Sequence, residues 1–278
     1  MEIFDRGFVV SVLGDNLGNG LSTYFPLLLA EGDLNVSRQY SRINLSSNAV
    51  RYISSLGCPE QDLFFHVVAT LHSSIFRTRN QSALRQDWPR IPLPAKKTDL
   101  LASAALGRRV AALLDTEHPV DGISAGTIRP ELQKIAVIAR VGGGALHPGT
   151  DDLAVTAGWG HAGKGGVTMP GRGKTVDGDP AGILEALGRP VFDVHLNDVA
   201  FWKSVPHRVW EYTIGGYQVI KKWLSYREHA LLGRPITIEE ARYVTDMARR
   251  LAALVLLESE LDANYQRVTA ATYPWPRE

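Results

Sequence analysis

Two stretches of the 278-residue chain combine cations with glycine in a way that suits an anionic ligand. Lys164, Arg172 and Lys174 stand in a glycine-rich segment from His161 to Gly178, with no acid between the first and last of them. Such a loop can contact phosphates, and the same composition also fits a solvated loop. The second stretch runs from Val209 to Glu228. There Trp210, Tyr212 and Ile214 alternate with Glu211 and Thr213, the period of a half-buried strand. Gly215-Gly216 break that period and a helical one begins. Val219, Ile220, Trp223 and Leu224 share one side, and Gln218, Lys221, Lys222 and Ser225 the other. The pattern predicts strand, two-glycine turn and helix. Backbone N–H groups at such a helix N-terminus, that of Gly216 among them, suit a phosphate. The bland alternative is a tight connection followed by a solvated basic face.

Catalytic signatures fall short of their requirements. Gly173-Lys174-Thr175 resembles the end of a phosphate-binding loop, but that loop needs glycine where Thr168 stands and a helix where Val176–Pro180 reads as turn. Glu131-Leu-Gln-Lys134 beside Asp121 places its lysine three residues after the acid, where metal-dependent nuclease strands place it two after. His147, His195 and His207 have no serine or carboxylate at an interpretable spacing, and His66 and His72 are six apart, off ligand spacing on a helix. The sequence contains no Asn/Asp-Pro-Pro-aromatic motif to hold an adenine amino group. It also has no glycine-rich strand-to-helix loop of the kind that binds S-adenosylmethionine.

Composition narrows the class. With 45% hydrophobic and 21% charged residues, the chain has the make-up of a soluble globular protein able to bury one large or two small cores. The formal net charge is only +1, so any nucleic-acid surface must be a local patch. One such patch lies between Lys203 and Arg234, where Lys203, Arg208, Lys221, Lys222, Arg227 and Arg234 face only Glu211 and Glu228. The single cysteine, Cys58, excludes an internal disulfide and a multi-cysteine zinc site. No apolar run reaches membrane-spanning length and no signal-peptide pattern opens the chain, which fits a cytoplasmic location.

The elements that must position these residues predict an α+β fold. A mainly helical part, 1–120, precedes a β-containing half, 121–278, that ends in a long helix. Phe8–Leu13 and Tyr24–Leu29 are strand candidates. Asp33–Gly57 is polar, with a short helix over Ser47–Leu56, and Pro59–Thr78 is a strong helix with a wide apolar stripe. Asn80–Asp87 is a short helix or turn. Pro89, Pro92 and Pro94 enforce an extended segment. A helix capped by Thr98 runs from Asp99 to about Thr116. Beyond it, Ile135–Ile138, Leu153–Thr156 and Val191–Leu196 read as strands between glycine-rich loops. Thr237 and Glu240 form a capping box for a helix reaching about Gln266, and Pro274-Trp275-Pro276 reads as a frayed tail.

The segment Gly215–Arg227 resembles a signature near the end of large bacterial type ISP restriction-modification polypeptides and related adenine-methyltransferase/helicase proteins. Tyr24–Leu29, Asp62–Arg77 and Trp88–Pro94 match in the same order, so the likeness spans Phe8 to about Tyr265. In that family this region follows the methyltransferase core and forms the target recognition domain. The resemblance implies duplex DNA as partner, together with a methyltransferase domain that carries S-adenosylmethionine. It implies no cofactor in this chain, because the adenine-pocket and cofactor motifs lie upstream of what the chain contains. On this reading the chain is a fragment or split subunit, with recognition but not catalysis. Lys164, Arg172, Lys174, Lys221, Lys222 and the Gly216 backbone are the candidate phosphate contacts; Gln218 and Arg227 are the candidate base readers. The rival readings are a methyltransferase with degenerate motifs and a truncated remnant without independent activity.

Overall fold

The computed structural model describes residues 26–30, 41–147 and 149–274. The expected strand Phe8–Leu13, the start of the strand at Tyr24 and Phe25, most of the polar segment before Ser41, and the tail from Trp275 lie outside them. The chain is α+β and forms two compact units. Of the described residues, 116–147 and 149–257 make one; 26–30 and 41–115, together with 258–274, make the other.

In the mainly helical unit, Leu28–Ala30 (β1) pairs antiparallel with Ser41–Ile43 (β2), and helices follow at Ser47–Leu56 (α1), Glu60–His72 (α2), Ser74–Arg79 (α3), Gln81–Leu84 (α4) and Lys97–Leu114 (α5). The single helix expected over Pro59–Thr78 is thus two. Ser73 leaves the helical region at φ −69° and ψ 127°, and its hydroxyl accepts the Phe76 N–H to start α3. The Asp262 carboxylate fixes the break by accepting the Ser73 and Ser74 hydroxyls at 2.7 and 2.6 Å and the Ile75 N–H at 3.0 Å. Helices α2 and α5 pack closely because α5 carries Gly107 where they cross. A Cβ there would sit 1.8 Å from the Phe65 carbonyl oxygen. The proline segment is extended as expected. It pairs with the chain's end through Tyr273 N–H to Leu93 and Ala95 N–H to Ala271, and its prolines offer carbonyls: Pro94 accepts the Tyr52 hydroxyl at 2.8 Å.

Pro92 accepts a second buried donor. The His66 Nε2 lies 2.9 Å from its carbonyl, so that nitrogen carries the proton. Nδ1 then accepts the Ser103 hydroxyl at 2.7 Å, and Ser103 accepts the Asn264 amide at 2.9 Å. Every member of the chain is satisfied only while the imidazole is neutral.

In the mixed unit, four strands form an antiparallel sheet: Val137–Arg140 (β3), Thr175–Asp177 (β6), Val191–His195 (β7) and Ala200–Pro206 (β8), in the order β3-β8-β7-β6. Two further hairpins join Gly160–Ala162 (β4) to Thr168–Pro170 (β5) and Thr213–Ile214 (β9) to Tyr217–Gln218 (β10). The helices of this part are His207–Trp210 (α6), Val219–Ser225 (α7), His229–Leu232 (α8) and Ile238–Ala270 (α9), the last continuing into the residues of the other unit. Its capping box is formed: Glu240 N–H donates to Thr237 Oγ1 at 3.2 Å and Thr237 N–H to the Glu240 carboxylate at 2.8 Å.

Two expected strands are corrected here. Leu153–Val155 is buried and Thr156 exposed, and the run is irregular because its backbone partners come singly from separate loops: Ile236 N–H bonds Leu153, His229 N–H bonds Val155, and Thr156 N–H bonds Leu196. Within the expected strand, Val209–Ile214, only Thr213–Ile214 is strand. Trp210 closes α6, and Gly215 and Gly216, at φ 58° and 79°, turn a two-residue hairpin rather than start a helix. Helix α7 begins three residues later, after Gln218.

Burial pushes the His66 imidazole from 6.5 down to about 4, partly opposed by the Pro92 hydrogen bond. The folded-state value is depressed, so the stability contribution is intact above the unfolded value and is lost as pH falls toward the folded one. Unfolding free energy should therefore drop by up to ~3 kcal/mol between the two, beyond any carboxylate effect. Denaturant titrations across this range should show a shallower pH slope in His66→Gln. Equal slopes in the two proteins would refute a buried neutral histidine.

Candidate nucleic-acid interface

The glycine-rich segment and the α7 region come together around Trp159. This indole is fully buried and donates its Nε1–H to the His195 carbonyl at 2.7 Å. It meets Trp210 edge-on, with ring centroids 5.4 Å apart. Its own N–H and that of Gly158 reach the buried Glu228 carboxylate at 2.7 and 3.2 Å. The residue after Glu228 adds His229 N–H to Val155 O at 2.6 Å. Glycines allow the strands to crowd this centre. A Cβ at Gly173 would fall 2.0 Å from the Trp159 ring, and one at Gly160 would fall 2.0 Å from the Ser225 carbonyl oxygen. Helix α7 accordingly packs on β4 and β5.

This arrangement places the loop cations. Lys164 lies in the 3-10 turn at the tip of the β4–β5 hairpin, Arg172 between β5 and β6, and Lys174 just before β6; all three are exposed. The segment is pinned by Gly173 against Trp159 and by the Gly171 and Gly173 N–H groups, which bond Trp159 O and Gly158 O at 2.6 and 2.9 Å. The segment is thus held to the core at Gly171 and Gly173 while its three cations remain exposed. Lys174 also has an internal partner, Asp198, at 2.7 Å, whose carboxyl that hydrogen bond holds below its ordinary range.

Around α7, Trp210, Tyr212, Ile214, Ile220 and Leu224 are buried as expected. Ser225 is buried too, against β4, although its place in the helical period assigns it to the polar side. Trp223 is half-buried rather than core. Arg227 stacks over it at 4.2 Å from the ring centroid, with the Nε of that guanidinium buried and lacking a hydrogen-bond partner, and Tyr243 of α9 stacks on it at 6.1 Å. Lys221 is half-buried, and Lys222 sets its ammonium 4.5 Å from the Tyr217 ring and 4.7 Å from that of Tyr226. Those two tyrosines are 56% and 46% exposed. Gln218 donates to Glu211 at 2.8 Å, so this amide has a local partner. Gly216 lies exposed at the hairpin tip, away from a helix N-terminus, which removes the dipole argument for its N–H.

The residues that sequence reasoning missed are Trp159, Glu228 and the two tyrosines beside Lys222. For Trp159 a signal was available in Gly158-Trp-Gly160 and Gly171-Arg-Gly173, where alternating glycines flank one large residue and mark close backbone approach; Glu228 and the tyrosines left no such local trace. Among the described residues, no group of three His, Cys, Asp or Glu side chains is placed to hold a metal ion. Nor is any helix among them long and apolar enough to cross a membrane.

The family model for the type ISP C-terminal specificity domain matches residues 8–254. The chain belongs to that family. Solved structures resembling this specificity domain include a nuclease-deletion mutant of the type ISP restriction-modification enzyme LlaGI in complex with a DNA substrate mimic, at 18% identity and TM-score 0.43 over 86% of this chain and 17% of that one. A DrdV–DNA complex matches at 18% identity and TM-score 0.48 over 82% of this chain and 20% of that one. The ATP-dependent type ISP restriction-modification enzyme LlaBIII bound to DNA matches at 12% identity and TM-score 0.43 over 84% and 13%. The chain therefore spans a fifth or less of the length of these proteins. No curated protein matches it significantly.

If Glu228 anchors this specificity domain, Glu228→Ala should lower its stability by about 1–3 kcal/mol for each buried N–H left unpaired. Gly173→Ala, forced against the indole, should cost about 1–3 kcal/mol as well. Urea unfolding measures both. A Glu228→Ala variant as stable as the parent would mean that the Gly158 and Trp159 N–H groups find other acceptors.

Proposed function

We propose that this specificity domain docks on duplex DNA and selects the target of a type ISP restriction-modification enzyme. The observation that carries the reading is the shared anchoring of the β4–β5 hairpin and α7 on Trp159 and Glu228, in a chain that belongs to the specificity-domain family. It sets the cations of both stretches on one compact unit of a chain that is otherwise nearly neutral.

Lys164, Arg172, Lys221 and Lys222 neutralise phosphates and fix register on the duplex, as does the exposed Gly216 backbone at its hairpin tip. Lys174 joins them when Asp198 releases it. Base edges in the major groove are read by Gln218, once it leaves Glu211, and by Arg227. Arg227 arrives pre-oriented, since its stacking on Trp223 removes much of the rotamer freedom that binding would otherwise have to freeze. The target adenine is then presented, out of the stack, to a methyltransferase domain that lies outside this chain and binds S-adenosylmethionine. Catalysis belongs to that domain, and the two act together in the cytoplasm.

Anisotropy titrations of labelled duplexes over a series of salt concentrations test the proposal. Binding should be salt-sensitive and weak without the methyltransferase domain. Lys221→Ala with Lys222→Ala should lower affinity and reduce the salt slope by about one for each phosphate no longer neutralised. Fold stability should fall by no more than about 1–2 kcal/mol, the worth of two exposed cation–π interactions. A folded chain that binds no duplex at low salt would end this reading.

A further inference from the structure

In the mixed unit, two exposed tyrosines close on one cation. The β9–β10 hairpin turns at Gly215 and Gly216, and β10 runs directly into α7, so Tyr217 lies just ahead of the helix that carries Lys222. Tyr226 caps α7 with helical backbone angles, φ −85° and ψ −8°. It therefore keeps the i,i+4 relation to Lys222 that puts both side chains on one face. The Lys222 ammonium accordingly lies 4.5 Å from the centroid of the Tyr217 ring and 4.7 Å from that of Tyr226. Both rings stay exposed, and among the described residues no carboxylate forms an ion pair with Lys222.

Other cations of this unit are held differently. Asp198 holds Lys174 and Glu240 holds Arg234, each at 2.7 Å. A carboxylate orients a cation but cancels its charge, and it must be displaced before a phosphate can take its place. An aromatic face attracts the ammonium through its quadrupole and leaves the charge whole. An ammonium has three N–H donors, so two rings still leave one for an anion. Lysine is also among the side chains with the most rotamer freedom to lose on binding. A ring on each side removes part of that freedom in advance. We infer that Tyr217 and Tyr226 are positioning residues for DNA binding, which hold the Lys222 ammonium in place and fully charged for one backbone phosphate of the duplex. This role rests on the docking of the domain on duplex DNA, and it adds two residues that act on the phosphate only through Lys222.

The full 278-residue chain and its variants, titrated with labelled duplex over a salt series, separate placement of the charge from the charge itself. Lys222→Ala should lower the salt slope by about one. Tyr217→Leu with Tyr226→Leu should weaken binding by about 2- to 10-fold at every salt concentration and keep the parental slope, because the ammonium remains and only its placement is lost. Tyr217→Phe with Tyr226→Phe, which restores the rings without their hydroxyls, should recover most of the affinity. In a Lys222→Ala background the leucine pair should cause no further loss. In the free protein, ring currents should shift the Lys222 ε-methylene protons upfield, and the leucine pair should abolish that shift. Circular dichroism checks the fold, and each single leucine change is read in the same way where the pair does not fold. The inference is overturned, with the docking of the domain left standing, by a leucine variant that binds as tightly as the parent. A loss that persists in the Lys222→Ala background, or phenylalanine variants as weak as the leucine ones, would overturn it equally. A folded parent that binds no duplex overturns the docking and this role with it.

Discussion

The mixed unit depends on one buried carboxylate. Glu228 stands at the end of the α7 segment, yet it accepts the N–H groups of Gly158 and Trp159, some seventy residues earlier in the chain. A carboxylate out of water is tolerated only when donors satisfy it, and here the donors are backbone. The consequence is positional. Trp159 cannot move without exposing that charge, and the indole in turn supports Trp210 on one side and the Gly171–Gly173 crossing on another. The two basic stretches, remote in sequence, thereby acquire a common support.

Much of this was legible in the sequence, and the failures have physical causes. The Thr237–Glu240 capping box and the helix it starts follow from local rules and are present with both hydrogen bonds. The extended proline segment follows from fixed φ. By contrast, Trp210, Tyr212 and Ile214 satisfy a strand period and are all buried, but they do not share one strand: Trp210 closes α6 and only Ile214 lies in the two-residue β9. Leu153–Val155 failed in a similar way, an apolar run buried by loops. Ser73 looks like an ordinary helical residue until Asp262, nearly two hundred residues away, makes it a cap. Long-range partners of this kind leave no local trace. The candidate cations were visible as a local excess of charge, but their internal partners, Asp198 for Lys174 and the two tyrosines for Lys222, required the fold.

Buried polar groups are matched in two ways. The helical unit closes a neutral relay, Asn264 to Ser103 to His66 to Pro92, and also buries the Asp62 carboxylate against the Arg108 guanidinium. The mixed unit buries the Glu228 carboxylate against backbone donors. Neutral relays specify packing at small electrostatic cost, whereas a buried carboxylate fixes the position of the loop that supplies its donors.

Glycine serves opposite ends in this chain. At Gly160 and Gly173 it is there because another atom occupies the space a side chain would need. At Gly165, Gly166, Gly215 and Gly216 nothing lies within 4 Å of the missing Cβ, and only the positive φ of 74°, 80°, 58° and 79° asks for glycine. The first kind cannot be exchanged without rebuilding the core. The second can give way to asparagine or aspartate, or to longer turns at a closure cost that rises by only about 0.6 kcal/mol for each doubling of length. The hairpin tips are therefore interchangeable parts on a fixed chassis, and a lineage or an engineer can rewrite them while Trp159 and Glu228 stay as they are.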